Sequence, residues 1–225
     1  MKNNRLSARE FTERLVLALL FTAIGSLIMI VFSPMRPLLD KGAPERVADY
    51  LGRIGLIAIL LAATLLVRKS KRLEKHGQVL LGLLIMAIAV SMDRIFGIYL
   101  IVYLKIGDAA PAGWAILKLN ECFIVVCAVI TLTRMSGGSL SSIYIQKGNL
   151  KLGLIVGLIT FVLAAAGSIP MANLFKAQNL SLARIIPWLP WLLIFVLANA
   201  AQEELLFRGL FLRKLQPFFG KFLSN

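Results

Sequence analysis

The sequence predicts an all-α fold: a polytopic membrane helix bundle of about six transmembrane helices. Three observations predict it. Of 225 residues, 59% are hydrophobic and the mean hydropathy is +0.82, against about 45–50% apolar in soluble domains. The apolar residues fall into six blocks, each near the roughly 20 residues that a helix needs to cross the hydrocarbon core. Lys and Arg lie mostly between the blocks and alternate in density from one connection to the next, as they do when alternate connections face the cytoplasm.

The first block runs from about Leu15 to Phe32 and ends at SPMRP, where Pro34 and Pro37 stop a helix. No small-residue cleavage site directly follows it, so it reads as a retained helix rather than a signal peptide. The second spans about Ala48 to Val67, with Arg53 near its outer end, where a long side chain can snorkel. The third, about Gln78 to Leu104, holds Asp93 and Arg94 deep inside, where the helix is expected to tilt or break. The fourth, about Trp114 to Thr133, holds Lys118, Asn120 and Glu121. Small residues crowd the second half of the fifth, about Leu152 to Met171, which permits close helix packing. Between fifth and sixth, ANLFKAQNLSLARII has the three-to-four-residue apolar spacing of a short interfacial helix. Trp188 and Trp191 follow and fit an aromatic belt. The sixth block starts at about Pro187 and reaches about Leu215.

Counting Lys and Arg by connection gives 15 on one side and 6 on the other, with 4 inside the blocks. Both termini are therefore expected on the cytoplasmic side, which requires an even number of spans. Short loops and few cysteines suit a bacterial plasma membrane. The net charge of +14 belongs to this loop asymmetry, so no nucleic-acid partner is expected; the lipid bilayer is. No repeat or soluble domain interrupts residues 1–225, which read as a single membrane domain.

Cys122 and Cys127 are five apart on a helix, face different directions, and form neither a redox nor a metal pair. The single histidine, His76, lies in the basic run RKSKRLEKHG and reads as a solvated loop residue. One histidine cannot make an HExxH zinc site, and no metal or other cofactor is expected. Within the third and fourth blocks, Asp93 and Arg94 diverge and need partners elsewhere. Lys118 and Glu121 can pair, and Asn120 can bond across helices. These polar groups read better as interhelical glue than as a substrate cavity.

The candidate site is NAAQEELLFRGLF, Asn199 to Phe211. On a helix Glu204 and Arg208 share a face, while Glu203 points about 100° away on the face of Asn199 and Phe207. Arg208 can hold Glu204 ionised, whereas Glu203 has no cationic partner on its own helix. Like charges raise each other's pKa in low dielectric, and a carboxylate shifted this way suits general acid or base work. An ionisable residue in a membrane helix is a functional hypothesis by default. The bland alternative is a charged trio at the inner water interface.

Glu203-Glu204-x-x-x-Arg208, continued by Gly209, resembles the first motif of the CAAX-protease and bacteriocin-processing (CPBP, or abortive-infection) family of intramembrane endopeptidases. The run KGNLKLGLIVGLI from Lys147 resembles the basic loop and helix that often precede that motif. The resemblance covers about Lys147 to Gly220. It makes residues 147–225 the N-terminal part of a protease domain and 1–146 upstream transmembrane helices. It implies that Glu203 activates water for attack on a peptide bond, with Glu204 and Arg208 supporting it. The implied substrate is a membrane-associated peptide or protein, prenylated in the family's eukaryotic branch. It also implies histidines on later helices, one to help activate water and one to stabilise the oxyanion without a bound metal. No histidine follows Glu203, so the chain reads as ending after the first motif. Alone it is expected to show no proteolysis. The alternative is a non-catalytic relative, an immunity or partner-binding membrane protein. A transporter would call for paired broken helices or a symmetric second half, and neither is visible.

Overall fold

A computed structural model gives the architecture and describes residues 8–32, 43–70, 73–104, 111–145, 148–174, 183 and 186–223. The elements are α1 (Ala8–Phe32), α2 (Ala43–Arg68), α3 (Glu74–Leu104), α4 (Pro111–Met135), α5 (Leu150–Leu174), α6 (Leu189–Glu203) and α7 (Arg213–Leu223). A π-helical stretch, Glu204–Leu212, joins α6 to α7 without a break. No strand occurs among the described residues. In a bilayer each backbone polar group has to be satisfied within the structure, and a helix does so by itself.

Every expected apolar block is a helix. Four are long and apolar enough to cross a membrane: Val47–Arg68, His76–Gly97, Pro111–Met135 and Ile186–Phe218. In α1 and α5, Arg14–Ile28 and Lys151–Leu163 give shorter apolar helices. Most of the interfacial segment expected between 172 and 186 lies outside the described residues, as does SPMRP.

The hub is α3. Helices α1, α2 and α4 pack on it, as do the π stretch and α7, while α6 packs on α4. Its inner half is buried on nearly every side, with Val79, Leu83, Met86, Ala89 and Val90 each at most 3% exposed. Of the two expected alternatives the break does not occur: α3 runs unbroken through Asp93 and Arg94. The reason is that both side chains find company on neighbouring helices, so the backbone need not open for water. Nor does Arg53 snorkel. It is buried, and its Nε donates to Asp49 Oδ2 at 3.1 Å one turn earlier. Helix α5 differs from the rest: all its described side chains, 151–163, are exposed.

Helix α4 ends in a Schellman closure. Gly137, at φ 83°, donates its N–H to the Arg134 carbonyl at 3.0 Å, and Gly138 donates to that of Thr133 at 2.8 Å. Glycine suits this left-handed position because it has no Cβ to clash. A single 3₁₀ turn, Leu140–Ile143, follows and ends at Tyr144, itself left-handed at φ 61°. Asn149 then caps α5, its Oδ1 accepting from the Leu152 N–H at 3.1 Å.

Candidate functional site

The site lies where α6 becomes π-helical, at Glu203 and Glu204. Inward-facing Gln202, Leu205, Leu206, Gly209 and Leu210 are buried, while Glu203, Glu204, Phe207 and Arg208 are exposed. The helix therefore has two polar systems on opposite sides, and they meet at consecutive residues.

On the outer side, Arg208 Nη1 stands 2.7 Å from Glu204 Oε2, with side chains 51% and 58% exposed. That is the pairing expected from their spacing. Glu203 is exposed and makes no ion pair among the described residues. Beside the pair lies an open groove of about 670 Å³, walled by Val126, Ile143, Tyr144, Ala201, Leu205 and the two charged residues themselves. Its size falls in the range of ligand sites, about 300–1,000 Å³, and its lining is mostly apolar. The turn that brings Ile143 and Tyr144 to this wall depends on Gly209. A Cβ there would stand 2.9 Å from the Ile143 carbonyl oxygen. Tyr144 is further held by the Arg213 guanidinium, 5.0 Å from its ring centroid.

On the inner side, Gln202 Nε2 donates to Glu121 Oε1 at 2.7 Å. The other oxygen of Glu121 takes Lys118 Nζ at 3.1 Å. Asp93, 5% exposed, lies within electrostatic reach of Lys118, Glu121, Arg53 and Arg94. Arg94 Nε stands 3.8 Å from Asp49, and Asn120 Nδ2 donates to the Gly97 carbonyl at 3.4 Å. Three acids (Asp49, Asp93, Glu121) and three bases (Arg53, Arg94, Lys118) thus form a buried to half-buried polar chain through α2, α3 and α4, which Gln202 joins to α6. Pairing matters because an isolated buried charge costs several kcal/mol even after relaxation, roughly.

Sequence reading found Lys118, Asn120 and Glu121 but missed Gln202, whose amide carries the chain across to α6. The one available signal was its position: a polar residue at the foot of the apolar run, directly before the glutamates. The π-helical geometry had no signal at all. Such stretches are rare and gather at functional sites, and this one begins at Glu204.

His76 departs from its expected solvated state. It packs edge-on to Phe218, ring centroids 5.1 Å apart, and its Nδ1 is buried. Phe218 lies fifteen residues beyond Glu203, about 22 Å along a helix, so His76 is not part of the glutamate site. Both cysteines are free and face different ways, as their spacing predicts, but only Cys122 is packed in the interior; Cys127, also expected to be packed, is exposed.

No family model matches the chain, and neither the curated proteins nor the solved structures contain a match.

Proposed function

We propose that this chain carries the glutamate half of an intramembrane endopeptidase site of the CPBP kind. Glu203 is the water-activating carboxylate; Glu204 and Arg208 form its fixed support. The bundle then has six spans with both termini on the Lys- and Arg-rich, cytoplasmic face of a bacterial plasma membrane. The observation that carries the reading is the division of labour at one point on one helix. Glu204 is tied to Arg208 at 2.7 Å in the wall of a mostly apolar groove, while its neighbour Glu203, which does not line that groove, is exposed and unpaired among the described residues. A fixed carboxylate next to a free one is the arrangement that lets two acids take separate roles. The groove suits an extended, membrane-associated peptide, with or without a prenyl group.

Peptide hydrolysis also needs donors for the oxyanion, and the resemblance assigns those to histidines on helices beyond the first motif. The second reading, a partner-binding membrane protein without catalysis, rests on the place of His76, which packs on Phe218 far from Glu203. The test is to reconstitute the chain in vesicles with fluorogenic membrane peptides, prenylated and plain, and to measure binding and cleavage separately. The expected outcome is binding that weakens in Glu204→Ala and Arg208→Ala, without cleavage by the chain alone. Absence of binding to any peptide would overturn both the groove's role and the endopeptidase reading. Cleavage lost in Glu203→Gln would establish Glu203 as catalytic without the family's histidines.

A further inference from the structure

A second, smaller cleft lies on the opposite flank of the π stretch. It encloses about 70 Å³ between α3, the end of α4 and the start of α7, and its walls include Gln78, Thr133, Ser136, Leu210 and Lys214. Lys214 is the only charged side chain among the described lining residues. Its ammonium makes one long hydrogen bond, to Gln78 Oε1 at 3.3 Å, leaving donor capacity to spare. Thr133 is 3% exposed, and its Oγ1 has no hydrogen-bond partner. A buried hydroxyl without a partner is unfavourable, so a ligand in the cleft that Thr133 lines would satisfy it.

A lysine with free donors and an unsatisfied hydroxyl, unopposed by any acid among the described lining residues, select an anion. The volume admits a group of a few heavy atoms and no more. Position narrows the choice. Gln78 stands one turn into α3 and Thr133 at the last turn of α4, so the cleft opens at helix ends. The adjoining connections carry Arg68, Lys69, Lys71, Arg72, Lys75 and Arg134. Those helix ends are where lipid headgroups lie, and basic pockets between membrane helices recognise headgroup phosphates.

We propose that this cleft binds a phosphate group, that of an anionic phospholipid, through the Lys214 ammonium and the Thr133 hydroxyl. Binding there braces the π stretch against α3 and α4. The two elements already touch closely: a Cβ on Gly82 would stand 2.8 Å from the Leu210 carbonyl oxygen. The site is independent of any role for the glutamate pair.

The test uses the purified full chain in detergent, with the melting temperature followed during titration. The three additives are dioctanoyl phosphatidylglycerol, dioctanoylglycerol (the same chains without phosphate) and inorganic phosphate. A saturable rise is expected with the phospholipid and none with the glycerolipid. Lys214→Met should weaken the apparent affinity about tenfold or more, and Lys214→Arg should preserve it. Thr133→Val, close in shape, should weaken it about threefold to tenfold, and this variant carries the test if Lys214→Met does not fold. An equal, Lys214-dependent rise with inorganic phosphate supports the phosphate site and assigns its source to solution. Equal responses to both lipids, or unchanged affinity in Lys214→Met and Thr133→Val, overturn the proposal.

Discussion

Gln202 donates its amide to Glu121 at 2.7 Å across 81 positions of sequence, and the peptide bond after it leads into Glu203. The bond therefore sets the rotation of α6 at the residue before the glutamate pair. Turn α6 so that Gln202 loses Glu121, and Glu203, Glu204 and Arg208 move around the helix together.

Removing either partner is expected to destabilise the bundle, and unequally. Gln202→Leu deletes one interhelical hydrogen bond, about 0.6–2 kcal/mol in a membrane. Glu121→Leu also takes from Lys118, which is 8% exposed, its direct ion-pair partner, and breaking a buried pair from one side costs about 3–5 kcal/mol. The double variant Lys118→Leu/Glu121→Leu removes both charges and should recover most of that loss. Unfolding titrations in mixed micelles check the order: double variant and Gln202→Leu mild, Glu121→Leu severe.

The outer pair should behave in the opposite way. Glu204 and Arg208 are each about half exposed, and exposed ion pairs contribute about 0–1 kcal/mol. Arg208→Ala is therefore expected to leave the melting temperature almost unchanged while weakening peptide binding in the groove. The swap Glu204→Arg/Arg208→Glu keeps the pair but exchanges the charges beside Glu203. It should leave stability intact and still impair binding. A large stability loss in either variant would mark the pair as structural.

Gly209 and Gly157 give a paired test of close approach. A Cβ at Gly209 meets the Ile143 carbonyl oxygen at 2.9 Å, whereas one at Gly157 meets nothing within 4 Å. Gly209→Ala must push the 3₁₀ turn off the π stretch, and overpacking of this kind costs about 1–3 kcal/mol. Gly157→Ala should stabilise α5 by about 0.5–1 kcal/mol, since alanine restricts the unfolded chain more than glycine does. Thermal unfolding of the two variants should shift in opposite directions.

The helices were legible because hydropathy acts over twenty residues at a time, and a block such as 114–133 has no other stable form in lipid. The Glu204–Arg208 pair was legible because it depends only on spacing along one helix. Long-range relationships were not. The four-residue spacing of Asp49 and Arg53 allows their pairing, but nothing near Arg53 in sequence says that it will be buried instead of reaching for water, because that depends on how α2 meets α3. The π stretch was equally hidden: each of its residues is compatible with an α-helix, and only the packing of Gly82 and Gly209 against backbone on either side shows how tightly it is held. His76 was misread for the same reason, since its partner Phe218 is far away in the chain.

Asp49 offers the last test, because it touches arginines on two helices. Arg53 Nε lies 3.1 Å from its Oδ2 within α2, and Arg94 Nε lies 3.8 Å away on α3. Arg53 is 3% exposed, whereas Asp49 and Arg94 are 14% and 28% exposed, so this end of the charged chain is half-buried. Asp49→Asn keeps a hydrogen-bond acceptor but removes the negative charge that balances two guanidinium groups. The expected loss is about 3–5 kcal/mol, the range for breaking a buried pair from one side. Arg53→Met in the same chain should restore part of it by removing one of the two cations that face Asp49. If Asp49→Asn unfolds no more easily than the parent chain, water reaches these groups and the chain of charges is a hydrated channel rather than a packed joint.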